Sequence, residues 1–122
     1  MILADTSVWI NHFRRTDAEL HRQLLQRNIL MHPYIVEELA LGSMSDRRAK
    51  IIYLERLPRA SVARLAELRA LVENHQLYRQ GLGFVDAHLL ASTFLTVGTL
   101  LWSRDKQLAQ AAAKLGIAYV YP

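Results

Sequence analysis

The chain has 122 residues, 52% of them hydrophobic and 21% charged, with no cysteine. That suffices for one domain with one core and excludes a disordered segment, disulfides, thiolate zinc sites and iron–sulfur clusters. The formal net charge of +4, from 15 Lys+Arg against 11 Asp+Glu, is spread along the chain, so charge alone points first to solvated surface.

Residues 1–4 read as a short buried strand, and Asp5, Thr6 and Ser7 stand where that strand must end. Trp9, Ile10 and Phe13 follow at helix-like spacing. Thr16-Asp17-Ala18-Glu19 has the form of a capping box opening a helix with Leu20, Leu24 and Leu25. Residues 29–32 are a second short apolar run. Pro33 then suits the first turn of a helix to about Leu41, with Gly42 placed to stop it. Residues 47–55 read as helical and 57–60 as a short strand; Ser61 reads as the cap of a helix with Val62, Leu65, Leu68 and Val72 on its apolar side. Gly81 and Gly83 interrupt the chain before a helix with Ala87, Leu90, Ala91 and Phe94 at helical spacing. Residues 99–102 read as a strand buried on both faces, Asp105 starts a helix that Gly116 closes, and 118–121 form a last strand.

Local composition bears on two targeting questions. The start of the chain has no basic segment and meets Asp5 early, so secretion is not expected, and a cytoplasmic protein is. Residues 82–102 approach the ~20 apolar residues of a membrane helix. Asp86, His88 and Gly98 interrupt that stretch, so a core helix, a turn and a buried strand are expected, and no membrane partner.

Strands alternating with helices imply parallel pairing through right-handed crossovers, hence an α/β fold with helices on both faces of a central parallel sheet. Such sheets bind ligands at the carboxyl ends of their strands. Asp5 follows the first strand and Asp105 lies just beyond Trp102, so both are expected on that edge. Asp86 opens the helix that feeds the Trp102 strand, and this reading puts its first turn at the far end of the helix, away from the other two.

Each carboxylate has two readings. Asp86 and Asp105 suit helix caps or dipole-stabilising charges as well as ligands, and Asp5 suits an Asx turn. At about 100° per residue, Ile35, Val36 and Leu39 define an apolar helix face that Glu38 borders, while Glu37 points farther away. The histidines, His12, His21, His32, His75 and His88, form no HxxxH or HxH pair and read as surface or core residues. Basic residues near the acids, Arg14, Arg15, Arg104 and Lys106, are candidates for phosphate contacts, and Arg47, Arg48 and Lys50 form a further local cluster.

Four stretches, "LADTSVWI", "EELALG", "GFVDAHLLAS" and "LLWSRDKQL", resemble in order and spacing the four acidic blocks of PIN-domain ribonucleases, in particular the VapC-type toxins of bacterial toxin–antitoxin pairs. The resemblance covers nearly the whole chain. It implies a single PIN domain over residues 1–122, a three-layer α/β/α fold, and a catalytic acidic pocket of Asp5, Glu38, Asp86 and Asp105 with Thr6 and Ser103 as supporting polar neighbours. It further implies that the fold carries the Asp86 helix start to the pocket, which topology alone did not supply. Asp5 and Asp86 are the expected metal ligands, with Glu38 and Asp105 completing the set directly or through water. The implied partners are RNA, a cognate VapB-type antitoxin that brings a basic side chain to the acids, and a second copy in a homodimer. Ser103 stands where many members have Thr, and Glu37 adds an acid beside Glu38.

Crowded carboxylates remain ionised only if a cation joins them, and oxygen ligands without His or Cys select Mg²⁺ or Mn²⁺. A metal-dependent endoribonuclease is therefore expected, with a PIN-fold nuclease of RNA processing as the alternative. A phosphoacceptor receiver domain would need an acidic pair after the first strand and a Lys after the last, where this chain has Thr6-Ser7 and Tyr121-Pro122. An aspartate-nucleophile phosphatase would need a second Asp where Ser7 stands. A catalytically idle interaction domain would not need acids in all four blocks.

Overall fold

The computed structural model describes residues 1–121. Three short strands, β1 (Ile2–Ala4), β2 (Ile29–Leu30) and β3 (Leu100–Trp102), form a parallel sheet in the order β2-β1-β3. Ile2 sits opposite both Ile29 and Leu100, and Ala4 opposite Trp102. The central strand is buried at every residue, as expected of a strand covered on both faces. β3 departs slightly from expectation, because Leu100 is partly exposed while Leu101 and Trp102 are buried. The two outer segments expected as strands join the sheet by single bridges: Met31 pairs with Arg59 and Leu101 with Ala118. Pro58 explains the first, since a strand interrupted by a residue without N–H cannot extend a ladder.

Among the described residues seven helices surround this sheet: α1 (Thr6–Arg14), α2 (Ala18–Leu25), α3 (Pro33–Leu41), α4 (Arg47–Arg56), α5 (Leu65–Asn74), α6 (Phe84–Leu95) and α7 (Lys106–Lys114). None is long and apolar enough to cross a membrane. The core is built from Leu3, Val8, Trp9, Leu20, Met31, Ile35, Leu54, Leu90, Leu101 and Leu108, all fully buried, and a smaller cluster of Ala63, Leu68, Ala87 and Ala91 joins α5 to α6. The apolar face assigned to α3 is the buried one: Ile35, Val36 and Leu39 all pack inward.

Two helix starts differ from the sequence reading. α2 is capped by Asp17, not Thr16: its carboxylate accepts the Leu20 N–H at 2.9 Å. Glu19 leaves the cap for Arg22 and the Tyr119 hydroxyl; the buried carboxylate pairs with a half-exposed guanidinium one turn on, and the Tyr119 contact ties α2 to the far edge of the sheet. The helix assigned to Ser61 starts at Leu65 instead, because Glu67 folds back to accept the Arg64 N–H at 2.8 Å. Ser61 donates its own N–H to Thr96 and stays extended, leaving Val62 and Leu65 exposed. At the end of α7, Gly116 closes the helix as read: with its φ at +73°, its own N–H donates to the Ala113 carbonyl and the Ile117 N–H donates to the Ala112 carbonyl.

Candidate active site

The chain leaves β1 at Ala4 and turns directly into α1, with Asp5 as the N-cap. One carboxylate oxygen of Asp5 accepts the Ser7 N–H at 3.0 Å, the Ser7 hydroxyl, and the Val8 N–H at 3.4 Å. The other accepts the Ser103 hydroxyl at 2.7 Å, while the Asp5 N–H donates to the Trp102 carbonyl at 2.9 Å. The ends of β1 and β3 are thus stitched together around one buried acid. Burial pushes its carboxyl pKa up, and the hydroxyl and backbone donors pull against that shift without reversing it. Among the described residues no basic side chain pairs with it.

The other three acids reach the same place from separate elements. Glu38, on α3, accepts the Thr6 hydroxyl at 2.6 Å. Asp86, in the first turn of α6, accepts the Gly83 N–H at 2.9 Å through one oxygen. Asp105, the N-cap of α7, accepts the Leu108 N–H at 3.1 Å through one oxygen. Both readings of these residues therefore coexist: each aspartate caps a helix, and each faces an open cavity of about 400 Å³ that also holds Thr6, Ser7, Ile10, Leu41 and Leu89. Glu37 does not line it.

Asp86 is the correction to the topology argument. A crossover helix runs antiparallel to the strands it joins, so α6 begins at the carboxyl edge of the sheet and delivers Asp86 there rather than to the far end. Three helix N-termini, those of α1, α6 and α7, consequently point toward the cavity, and their positive dipole ends offset part of the carboxylate charge.

The supporting hydroxyls act on the acids rather than on the cavity centre. Ser103 bonds Asp5 and also accepts the Asp105 N–H at 2.9 Å. Ser7, not among the expected supporting residues, holds Asp5 and accepts the Arg104 N–H at 2.9 Å. Its position two residues after an aspartate that ends a strand was the available signal, since that is Asx-turn spacing.

The basic residues are arranged differently. None of Arg14, Arg15, Arg104 or Lys106 lines the acidic cavity. Arg104 is engaged elsewhere: its guanidinium pairs with Asp17 and lies 5.7 Å from the centre of the Trp102 ring. Lys106 and Arg15 are exposed at the start of α7 and the end of α1, and Arg14 lines a neighbouring groove. Of the three apolar residues after Asp5, Trp9 is core, Phe13 packs against the core while lining that groove, and Ile10 lines both spaces.

No histidine lines the cavity either. His32 is fully buried; its Nδ1 accepts the Tyr34 N–H at 3.0 Å, its Nε2 lies 3.0 Å from the Ser92 hydroxyl, and burial lowers its pKa to about 4. The donor set is thus entirely oxygen, the chemistry of Mg²⁺ or Mn²⁺ rather than zinc. Among the described residues, no three acids or histidines stand close enough to grip one ion together. The arrangement is an open, water-accessible acidic cavity, which suits an ion that retains much of its hydration.

A parallel sheet with helices on both sides and four acids from four segments at its carboxyl edge is the architecture of the PIN domain family, and the family profile matches residues 2–114. The chain belongs to that family, and the receiver and phosphatase readings fall away. It is 45% identical over 118 residues to Ribonuclease VapC32 of Mycobacterium tuberculosis, in strains CDC 1551 / Oshkosh and ATCC 25618 / H37Rv, an alignment spanning 97% of this chain and 95% of the relative.

Proposed function

We propose that the protein is a divalent-metal-dependent endoribonuclease, the toxin of a VapBC-type pair, acting as one PIN domain in the cytoplasm. The observation that carries this reading is the cavity itself: four carboxylates and no basic side chain at the sheet edge where α/β folds bind ligands. An uncompensated cluster of this kind favours a cation strongly, and the 45% identity to a ribonuclease over nearly the full chain supports RNA as substrate.

Asp5 and Asp86 are the proposed direct ligands of Mg²⁺ or Mn²⁺, with Glu38 and Asp105 reaching it directly or through water. When bound, the ion supplies an activated water and charge relief at the phosphoryl oxygens. The protein's own part is orientation. Ser7 and Ser103 fix both oxygens of Asp5, and Thr6 holds Glu38 toward the cavity. The backbone N–H of Gly83 and that of Leu108 each take one oxygen of Asp86 and Asp105, leaving the other oxygen of each for the cavity side. Leu89, Ile10 and Leu41 wall the space without competing donors.

A VapB-type antitoxin restrains the enzyme in this account, since a guanidinium pairs with a carboxylate pocket and competes with metal. The homodimer belongs to the same reading. The test is purified protein with Mg²⁺ or Mn²⁺ on total cellular RNA, mapping new 5′ ends beside an Asp5→Asn control, together with expression in cells. Discrete new ends and growth arrest rescued by the neighbouring reading frame support it. Cleavage without growth arrest points to RNA processing, and no cleavage at all to an idle interaction domain.

A further inference from the structure

We propose that Arg104 is a positioning residue of the acidic site, serving it from outside the cavity by locking the β3–α7 loop onto Asp17 and the Trp102 ring. The proposal rests on the metal-dependent reading above and adds to it a residue that touches neither metal nor RNA. The loop consists of Ser103, Arg104 and Asp105 alone, between the end of β3 and the first residue of α7. All three reach the site. Ser103 donates its hydroxyl to Asp5 at 2.7 Å, the Arg104 N–H donates to the Ser7 hydroxyl at 2.9 Å, and Asp105 lines the cavity. Ser7 in turn donates to Asp5. The Arg104 backbone is thus one hydrogen bond from the Ser7 brace on Asp5 and one peptide bond from Asp105, so displacing it disturbs the support of two of the four acids.

The Arg104 side chain is engaged away from the cavity, on a dock that is itself fixed. Its guanidinium pairs with Asp17 and lies 5.7 Å from the centre of the buried Trp102 ring, so a charge and an aromatic face both hold it. Asp17 is anchored on both sides: its carboxylate accepts the Leu20 N–H at 2.9 Å as the cap of α2, and its own N–H donates to His12 Nδ1 on α1 at 3.0 Å. The loop that carries Asp105 is therefore tied to the junction of α1 and α2. A guanidinium committed in this way favours an internal brace over a phosphate contact. The pair is partly exposed and adds little to global stability, so its leverage is local, on a loop of three residues that all support the acids.

The experiment is calorimetric titration of the RNA-free full-length protein with Mg²⁺, for wild type, Arg104→Gln, Arg104→Lys, Asp17→Asn and the Arg104→Gln/Asp17→Asn double variant. Arg104→Gln and Asp17→Asn are each expected to weaken Mg²⁺ binding about 10-fold, the low end of what losing the support of a metal ligand costs. The double variant should bind no more weakly than either single one, since both remove the same interaction. Arg104→Lys, which keeps the charge without the planar fork, should fall between wild type and Arg104→Gln. Asn keeps the α2 cap, and losing a partly exposed pair should lower the melting temperature by no more than about 5 °C, so the variants stay folded. Lys114→Ala, at the exposed end of α7, should bind as wild type does. In cleavage assays at saturating Mg²⁺, the salt dependence of KM for RNA should stay as in wild type. Wild-type Mg²⁺ affinity in both Arg104→Gln and Asp17→Asn overturns the proposal, and so does weakening in Arg104→Gln alone. Intact Mg²⁺ binding in Arg104→Gln with a salt slope flattened by about 0.7 also overturns it, assigning the side chain to an RNA phosphate. Wild type that binds Mg²⁺ and cleaves RNA while the variants bind equally tightly defeats this proposal alone; wild type that binds no Mg²⁺ defeats the metal reading with it.

Discussion

Asp5 caps a helix, joins two strands and faces the cavity with a single carboxylate, and its burial makes ionisation costly. A carboxyl whose folded pKa lies above its unfolded value contributes stability that is fully present below the unfolded pKa and lost as pH rises through the folded one. Ionising Asp5 therefore costs the fold stability, a cost that a divalent cation at the proposed site would relieve. Mg²⁺ should raise the melting temperature of the wild type. Asp5→Asn keeps the capping geometry, so it should melt no lower than metal-free wild type, respond little to Mg²⁺, and lose cleavage by at least about 100-fold. Calorimetric melts with and without Mg²⁺ check the first two points. Ser103→Ala removes one of the hydrogen bonds that orient Asp5 and should cost about 10- to 100-fold in metal affinity or activity, measured by metal titration. His32 shows the opposite linkage: its folded pKa of about 4 lies below the usual 6.5, so its contribution is fully present above 6.5 and is lost as pH falls toward 4. Urea midpoints between those values should fall in wild type and fall less in His32→Asn. At this scale the sequence was informative where helical angle decides, as with Glu38 over Glu37. For Ser7 the Asx-turn spacing to Asp5 was legible, whereas its contact with Arg104, far along the chain, was not.

Helix starts are where local rules and tertiary contacts compete. Asp105 and Asp86 were readable as caps, and they are caps. The Thr16 and Ser61 assignments failed because a neighbouring carboxylate made the better acceptor: Asp17 reaches the Leu20 N–H, and Glu67 reaches back to Arg64. Glu19 is diverted to Arg22, one turn along the same helix, and to the Tyr119 hydroxyl, and the second partner lies far along the chain, which no capping pattern encodes. The two roles of Asp105 separate by substitution. Asp105→Ala should destabilise by about 1 kcal/mol through loss of the cap. Asp105→Asn should keep most of that stability, and both should lower cleavage; chemical denaturation beside an RNA assay distinguishes the effects.

For the whole molecule, topology does what composition could not. The alternation of strands and helices pointed to a parallel sheet with its acids on the carboxyl edge, and β2-β1-β3 pairing places Asp5 and Asp105 there. Asp86 lies on that edge too, because a crossover helix starts where the preceding strands end, a relation that the edge rule for strands does not itself state. The core that fixes this arrangement is small, so Leu101→Ala, at a fully buried position in β3, should cost about 2–5 kcal/mol by denaturant unfolding. The central claim is that four carboxylates held at one edge work through a divalent cation. Its most direct test is the rate of RNA cleavage by protein first stripped with EDTA and then titrated with Mg²⁺ or Mn²⁺, for wild type beside Asp5→Asn. The account predicts no cleavage in EDTA, saturable recovery in wild type, and none in Asp5→Asn. Full cleavage in excess EDTA, or equal recovery in both proteins, would contradict it.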